Sequence, residues 1–279
     1  MRSIFLQVIF ITIFLLSWIT PAQSEFDWKI VKQLKLQQPP LDVAVSPNEK
    51  WYFVLSKGEI IIFSIEDGQV QNSIPVDASV EKIIHSPEDN SLILISAKEK
   101  TIKVLRVDAI YHFTEKKSPH LGPENAPVTL TIFSHYQCPF CAQIDPKIEE
   151  LCEFYEDELR IVFKAFPSYN REAVNAWTGA LAADRQNKFW EYHKALHKKE
   201  RPLKDEKILS AARELGLDMK KFKKDMEDPA VLKQITRDVN EGIDAEVASV
   251  PTFFINGKHL KNEEIDQIYQ FIQEELKRN

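Results

Sequence analysis

The stretch "VTLTIFSHYQCPFC", residues 128–141, changes character half-way along. Val128 to Phe133 is a continuous, largely apolar run of the kind that forms a buried strand. From Pro139 onward, apolar residues recur at helical spacing. They are Ile144, Ile148, Leu151, Cys152 and Tyr155. The stretch therefore predicts a strand followed by a helix, with Cys138 at the junction.

The chain has only three cysteines, and two of them, Cys138 and Cys141, stand three positions apart. Metal binding, a structural bridge and redox chemistry all use this spacing. A structural zinc site needs four ligands, usually a second Cys pair or a His pair at a matching distance. Here Cys152 is alone, and His193 and His197 lie four apart on a predicted helix. We therefore predict no metal ligands.

Redox chemistry fits the position of the pair better. Cys138 falls in the N-cap region of the predicted helix, where unpaired backbone N–H groups and the positive end of the dipole favour an anionic sulfur. A lowered pKa would let Cys138 attack a disulfide, and Cys141, one turn on, would resolve the mixed disulfide. Pro139 suits the first helical position because its missing N–H has no partner there. With Phe140 it completes a Cys-Pro-Phe-Cys motif that shapes the site.

A second motif, "SVPTFFINGK" at 249–258, places a proline at the entry to a strand. Pro251 cannot donate to a sheet ladder, so it is tolerated only at an edge or in a special turn. If the Val250–Pro251 bond is cis, the preceding backbone turns its polar groups outward, where an extended substrate could pair with them as an added strand. An ordinary trans proline that opens an edge strand is the alternative.

The remaining elements extend this pattern into an α/β layer with a helical insertion. A second strand is predicted over Leu159–Phe166, and a third over Thr252–Ile255, followed by a hairpin turn at Asn256-Gly257. Helices are predicted over 171–199, 203–215, 219–245 and 262–277. The order is β-α-β, helices, β-β-α.

Three separated segments together resemble DsbA-like thiol–disulfide oxidoreductases, which have a thioredoxin fold with a helical insertion. The resemblance covers about residues 118–279. Its motifs are "VTLTIFSHYQCPFC", "FKAFPSYNREAVNAWTGALAADRQNKFWEYHKAL" and "ASVPTFFINGK". It implies that Cys138 is the nucleophile, Cys141 the resolving thiol and Pro251 a cis proline beside them. It also implies export and disulfide exchange with secreted polypeptides, with no dissociable cofactor.

The sequence departs from that family at positions that bear on the charge of the thiols. Thioredoxin-like enzymes commonly carry a buried acid where this chain has Ile132, and close relatives often have Asp where it has His135. A cationic imidazole, with Lys164 on the following strand beneath the site, would favour a thiolate at Cys138 and an oxidising disulfide. The alternative for His135 is a loop histidine with no role. Cys152 is expected to be a buried, inert thiol.

The N-terminus indicates export. Arg2 is followed by an almost uncharged apolar stretch from Ile4 to Ile19 and by a small-x-small sequence at Ala22-Gln23-Ser24. This pattern is typical of a signal peptide, here residues 1–24, and predicts a periplasmic or cell-envelope protein. An uncleaved membrane anchor at 4–19 is the alternative.

Residues 25–112 are predicted to form a small all-β repeat domain. Strand-like runs at 41–45, 51–55 and 60–63 are followed, about forty residues on, by a similar series. Period and strand order resemble β-propeller blades, although two blades cannot close a ring and a simple spacer domain is the alternative. Open strand edges favour packing on the second domain or an oligomer. Residues 113–125, rich in Pro, Gly and charge, are predicted to be a linker to the thioredoxin domain at 126–279.

The composition is that of a globular protein with a mild excess of acidic residues. The chain has 279 residues, of which 44% are hydrophobic, and its 36 Lys+Arg against 42 Asp+Glu disfavour a nucleic-acid binder. We predict an exported thiol–disulfide oxidoreductase whose partners are cysteine-containing exported polypeptides and a redox protein that regenerates the pair. Oxidase, isomerase and reductase remain open. The rivals are a propeller-type binding protein with a thioredoxin-like docking module, and a heavy-metal binding protein that uses the Cys pair.

Overall fold

The computed structural model describes residues 26–86, 90–167, 171–260 and 267–278. These residues form two compact units. The first contains the described residues before position 87 together with Leu92–Val104, and the second contains Asn90, Ser91, Leu105 and all described residues beyond Leu105. The predicted signal peptide and the alternative anchor lie outside the described residues. Within the described ranges, the structure contains no helix with the length and apolarity needed to cross a membrane.

The first unit consists of two sheets whose strands follow one another in sequence order. The four-stranded antiparallel sheet contains β1 (Asp42–Val45), β2 (Trp51–Ser56), β3 (Glu59–Ser64) and β4 (Val70–Pro75). The three-stranded sheet contains β5 (Lys82–Ser86), β6 (Ser91–Ser96) and β7 (Thr101–Arg106). Only β4, which is polar and largely exposed, was not predicted from the sequence. The likeness to propeller blades stays a prediction.

The second unit is built on a five-stranded mixed sheet, whose order is β12-β11-β9-β10-β8. Its strands are β8 (His120–Leu121), β9 (Val128–Ser134), β10 (Leu159–Ala165), β11 (Thr252–Ile255) and β12 (Lys258–Leu260). The central pair, β9 and β10, is parallel, and every other neighbouring pair is antiparallel. The parallel pair is connected through a helix, as parallel strands require.

Seven α-helices are described around this sheet, with a short 3-10 turn at Glu156–Glu158. They are α1 (Pro139–Tyr155), α2 (Arg171–Asp184), α3 (Phe189–Lys198), α4 (Asp205–Glu214), α5 (Met219–Met226), α6 (Pro229–Asp244) and α7 (Ile268–Leu276). The predicted helix 171–199 is two helices because Asn187 adopts a positive φ of 55° between them. The predicted helix 219–245 is also two, because the Asp228 side chain caps a new helix that begins at Pro229. Part of the predicted helix 262–277 lies outside the described residues.

The central strand β9 is buried on both of its faces, as its continuous apolar sequence predicted. Leu130 and Ile132 face a core that includes Ile148 and Leu151 of α1. Phe133 faces the opposite way and packs in a second cluster of aromatic and small apolar residues. Successive strand residues point to opposite faces, so one strand anchors both layers. Packing on both faces fixes the position of β9, and α1 begins five residues after β9 ends.

Much of the predicted linker 113–125 belongs to the second unit. The ring of Phe113 lies 5.2 Å from that of Phe133 and 4.9 Å from that of Phe254. Further on, β8 pairs with β10 as an edge strand. The Pro- and Gly-rich composition concealed this because a two-residue strand leaves no periodic pattern. The chain therefore joins the thioredoxin layer earlier than position 126.

The predicted hairpin turn at Asn256-Gly257 is confirmed. Ile255 pairs with Lys258, and both turn residues have positive φ, 46° and 79°, as a two-residue hairpin turn of type I′ requires. Glycine is needed at the second position for another reason as well. A Cβ on Gly257 would lie 2.2 Å from the carbonyl oxygen of Tyr111.

Candidate active site

Cys138 is the N-cap residue of α1. Its backbone is extended, with φ −81° and ψ 119°, and its Sγ accepts a hydrogen bond from the N–H of Cys141 at 3.4 Å. Pro139 occupies the first turn, where no partner for an N–H is needed. The predicted position of the cysteine at the strand-to-helix junction is therefore the observed one. An N-cap sulfur that accepts a backbone N–H is stabilised further when it carries negative charge.

Cys141 lies one turn further on and is buried. Neither Cys138 nor Cys141 is in a disulfide in this structure. Burial raises the pKa of Cys141 to about 12, although the Ser134 side chain and the backbone of His135 lower it in part. Cys141 is therefore a protonated thiol near neutral pH, held behind the sulfur that caps the helix.

The Val250–Pro251 peptide bond is cis. Its carbonyl faces the first cysteine, since the Sγ–H of Cys138 donates to the Val250 oxygen at 3.5 Å. Directly after the proline, β11 begins and pairs Thr252 with Phe133 of β9. The loop that carries the proline and the loop that carries the cysteines therefore lie next to each other, at the same end of these two inner strands.

The residues around the Cys138 sulfur are apolar and differ in their exposure. Cys138 is 8% exposed, while the neighbouring Phe140 is 68% exposed. Pro139 is exposed as well, and Val250 and Pro251 are half-buried. A sulfur that is just accessible and is flanked by an exposed aromatic ring can be reached by a flexible polypeptide.

Residues outside the motifs fix the loop that leads to Cys138. The Gln137 side chain forms two hydrogen bonds with the backbone of Leu203, at 3.0 and 3.1 Å. The Arg201 Nε donates to the carbonyl of Tyr136, and the Trp177 indole N–H donates to the carbonyl of Ser134. Sequence reasoning missed these contacts because they join residues more than forty positions apart, with no local pattern.

The surroundings of His135 disfavour the positive charge expected there. Burial, together with the nearby Arg201 guanidinium, lowers the pKa of His135 below its usual value. The ring is therefore neutral at pH 7, and its Nδ1 has no hydrogen-bond partner among the described residues. The backbone of this residue contributes a hydrogen bond that lowers the pKa of Cys141.

Lys164, which we predicted to act on the thiols from beneath the site, engages two carboxylates. It is fully buried, and its Nζ lies 3.2 Å from Asp238 and 2.8 Å from Glu241, with a further bond to the carbonyl of Thr114. Both carboxylates are on α6. Burial raises the pKa of Asp238, whereas hydrogen bonds from Lys164 and Thr114 hold the pKa of Glu241 below normal against the effect of burial. Together with Arg237, which lies 2.9 Å from Asp238, the lysine compensates the charge of these two acids.

Ile132 and Cys152 both pack against the hydrophobic core of the second unit. Ile132, where related enzymes carry an acid, is buried against α1. Cys152 is partly buried against the same core, and burial raises its pKa. Its observed surroundings agree with an unreactive thiol.

A further group of polar side chains lies between α1 and α3. Asp145, His193 and His197 place their ligand atoms within 4.8 Å of one another. Hydrogen bonds from both imidazoles lower the pKa of Asp145 to about 2 against the effect of burial. The histidine pair was visible in the sequence, but Asp145 is brought to it only by helix packing. These three residues could hold a metal ion.

The fold and the paired thiols define a thioredoxin-like protein, and comparison with known proteins agrees. The family model described as Thioredoxin matches residues 114–274, more than half of the chain. The chain therefore belongs to the thioredoxin family. The predicted enzyme class, thiol–disulfide oxidoreductase, agrees with this family.

Solved structures show the same fold. A thioredoxin-like oxidoreductase from Silicibacter pomeroyi DSS-3 is 24% identical, with a TM-score of 0.52 over 57% of this chain and 93% of that one. Oxidised BdbD from Bacillus subtilis is 21% identical, with a TM-score of 0.55 over 61% and 98%. A periplasmic thioredoxin-like protein from Salmonella enterica serovar Typhimurium is 23% identical, with a TM-score of 0.50 over 59% and 92%. The predicted DsbA-like thioredoxin fold is confirmed.

Curated relatives include longer proteins of another kind. The Na(+)/H(+) antiporter NhaA of Herminiimonas arsenicoxydans is 30% identical over 140 residues, which are 50% of this chain and 22% of the antiporter. The Na(+)/H(+) antiporter NhaA 3 of Salinispora tropica is 33% identical over 139 residues, or 49% and 21%. The chain spans about a fifth of the length of these relatives. Their antiport activity is a property of those proteins.

Proposed function

We propose that this protein is an exported thiol–disulfide oxidoreductase that exchanges disulfides with secreted proteins through Cys138 and Cys141. One observation carries the proposal. The Cys138 Sγ caps the N-terminus of α1 and faces the Val250 carbonyl at 3.5 Å, while Cys141 is buried one turn behind it. This arrangement provides one accessible sulfur and one protected sulfur, which is what sequential exchange requires.

In the reducing direction, the Cys138 thiolate attacks one sulfur of a substrate disulfide. A bond forms between the two sulfurs, the substrate disulfide breaks, and the released substrate sulfur takes up a proton. Cys141 then loses its proton and attacks the Cys138 sulfur, which expels the second substrate thiol. The substrate gains two electrons and two protons, and the enzyme is left with a Cys138–Cys141 disulfide.

In the oxidising direction, the same steps run in reverse. A substrate thiolate attacks the Cys138 sulfur of the disulfide form, and Cys141 leaves and is protonated. A second substrate thiolate attacks the first substrate sulfur, so that a substrate disulfide forms and Cys138 leaves as a thiolate. Stabilisation of that thiolate by the helix N-terminus favours the reduced enzyme, and hence oxidation of the substrate.

Substrate recognition on this proposal is by apolar contact and backbone pairing. Phe140 is exposed beside the reactive sulfur, and Val250 precedes the cis proline opposite. An extended cysteine-containing segment that lies between them gains contact with the ring and can pair with the backbone before Pro251. Little side-chain specificity is needed, which suits unfolded or flexible chains.

Export and regeneration belong to the same proposal. The signal-like N-terminus at 1–24 and the likeness to a protein named as periplasmic support an envelope location. Disulfides persist in that compartment, and a second redox protein must return Cys138 and Cys141 to the working state. We propose that the β domain predicted at 25–112, whose described sheets make up most of the first unit, either spaces or oligomerises the catalytic domain.

Two assays with the full chain test this proposal. One measures the reduction of insulin by dithiothreitol, and the other measures the oxidation of a dithiol peptide. We expect a rate above the uncatalysed one in at least one assay, abolished by Cys138→Ser. Cys152→Ser is the matched control, since it removes a thiol from the same helix away from the motif. Rates equal to the uncatalysed ones in both assays would favour the rival, a thioredoxin-like docking module.

A further inference from the structure

The cluster of Asp145, His193 and His197 is not used by thiol exchange. His193 and His197 are four residues apart on α3 and therefore share one face of that helix. Asp145 comes from α1, and its Oδ2 contacts both imidazoles, at 3.0 Å from His193 Nε2 and in closer contact with His197 Nδ1. Three side chains that can bind a metal ion, from two helices, therefore converge on one point.

Burial makes this convergence costly without a cation. The side chains are 4%, 6% and 14% exposed for His193, His197 and Asp145. Both imidazoles contact the same carboxylate oxygen, and no Lys or Arg among the described residues forms an ion pair with Asp145. His197 faces the carboxylate with Nδ1, and its buried Nε2 has no hydrogen-bond partner among the described residues. A divalent cation bound by all three residues would compensate the charge of the carboxylate.

The neighbouring residues are placed as outer supports of a metal site usually are. Tyr136 Oη lies 3.0 Å from His193 Nδ1, which leaves Nε2 of that ring to face the cluster. A hydrogen bond on the second ring nitrogen is the usual device that fixes the orientation of a metal-binding histidine. A cavity of about 190 Å³ adjoins the cluster and is lined by Asp145, His193, Glu149, Cys152, Trp190 and Lys194. It provides an entry path and room for a water ligand.

We propose that Asp145, His193 and His197 bind one divalent transition-metal ion, with Zn²⁺ as the best fit. Two imidazoles and one carboxylate are a ligand set that Zn²⁺ accepts, with water at a fourth position. The ion cross-links α1 to α3. Through Tyr136 it also steadies the loop that ends at Cys138, so the site is a structural partner of the redox centre.

The experiment uses the full chain with Cys138→Ser and Cys141→Ser, so that the thiol pair cannot bind the metal. The chelator-treated protein is titrated with Zn²⁺ by calorimetry and with Co²⁺ by visible absorption. We expect one equivalent of Zn²⁺, a melting temperature that rises until one equivalent is bound, and intense Co²⁺ bands of a four-coordinate nitrogen and oxygen site.

Variants in the same background assign the ligands. Asp145→Asn and His197→Gln should weaken Zn²⁺ binding by more than about 100-fold, and Tyr136→Phe by about 10- to 100-fold, because it removes only the support of a ligand. His112→Ala, at an exposed histidine outside the cluster, should leave the affinity unchanged. If a ligand variant fails to fold, the Co²⁺ spectrum and the Tyr136→Phe titration decide.

Less than one equivalent of Zn²⁺, or a Co²⁺ spectrum like that of the ion in water, would overturn the proposal. Equal affinity in the parent and in His197→Gln would do the same, because it would indicate an adventitious ion only. Each of these failures leaves thiol exchange untouched, since that activity is measured with the cysteines present.

Discussion

The Sγ of Cys138 lies 3.5 Å from the carbonyl oxygen of Val250, although 112 positions separate the two residues in the chain. The first stands at the start of α1, four residues after β9 ends, and the second just before β11, and these two strands are neighbours in the sheet. Sheet pairing therefore brings the sulfur and the proline loop together.

Phe140 should contribute to the binding of polypeptides. Phe140→Ser removes a ring that is 68% exposed beside the sulfur, and we expect kcat/KM for a cysteine-containing peptide to fall about tenfold, from the loss of about 1 to 2 kcal/mol of apolar contact. Reaction with a small thiol such as glutathione should change little. Phe154→Ser is the matched control, because Phe154 is 67% exposed near the other end of α1. Equal losses in the two variants would contradict a role in substrate contact.

The resolving step should accelerate with pH. Burial raises the pKa of Cys141 to about 12, so its reactive thiolate is a minor species at neutral pH. Because pH 6 to 9 lies below this pKa, the thiolate fraction rises about tenfold per pH unit throughout. Quenched-flow mass spectrometry of the mixed disulfide between Cys138 and glutathione measures its decay. A plateau near pH 7 would show that Cys141 ionises far more readily.

Ser134 should assist this step. Its side chain forms a hydrogen bond that lowers the pKa of Cys141. Ser134→Ala removes the bond, which for a charged acceptor contributes about 1.5 to 3 kcal/mol, and should slow decay of the mixed disulfide at pH 7.5 by about tenfold or more. Formation of the mixed disulfide should be unaffected. An unchanged decay rate would show that the bond does not reach the thiolate.

Lys164 should stabilise the fold without tuning the thiols. Lys164→Met removes the ammonium from Asp238 and Glu241 and leaves them, among the described ion-pair partners, only Arg237, which lies 2.9 Å from Asp238 and 4.0 Å from Glu241. We expect a loss of about 3 kcal/mol in the free energy of unfolding at pH 7, the lower end of the range for breaking a buried ion pair. The loss should shrink towards about pH 4, where carboxylates take up protons. Urea denaturation at pH 7 and at about pH 4 measures the loss and its dependence on pH. Lys233→Met, at an exposed position of α6, is the control.

A separate measurement on Lys164→Met tests the earlier interpretation of this lysine. If its charge acted on the thiols, the equilibrium of the Cys138–Cys141 pair in glutathione buffers would shift by an order of magnitude. We expect less than about a twofold change, because the cation is already engaged by two carboxylates on α6. A large shift at unchanged stability would restore the sequence-based hypothesis.

The core of the site could be predicted from local sequence because its geometry is local. Cys138, Pro139 and Cys141 lie within one turn of a helix whose start is marked by the change from strand to helical periodicity. The hairpin at Asn256-Gly257 was equally readable, since two positive φ angles restrict the residues that fit. The relation between the cysteines and Pro251 came from the family resemblance, not from spacing.

What the sequence did not predict depends on tertiary packing. The role of Lys164 is decided by α6, which lies more than sixty positions away and provides its carboxylates. The charge of His135 is decided by burial and by Arg201, and the ligand cluster by the approach of α1 to α3. A polar residue in a buried strand indicates that a partner exists, but its sequence context does not say which.

The most direct test of the central claim is to trap the exchange intermediate. Cys141→Ser lacks the resolving thiol, so after reaction with a disulfide-containing peptide it should accumulate a mixed disulfide at Cys138, seen by non-reducing mass spectrometry. Cys138→Ser should form almost none, because its remaining motif thiol is buried and has a pKa of about 12. Equal trapping by both variants, or trapping mainly through Cys141, would contradict the assignment of Cys138 as the attacking sulfur.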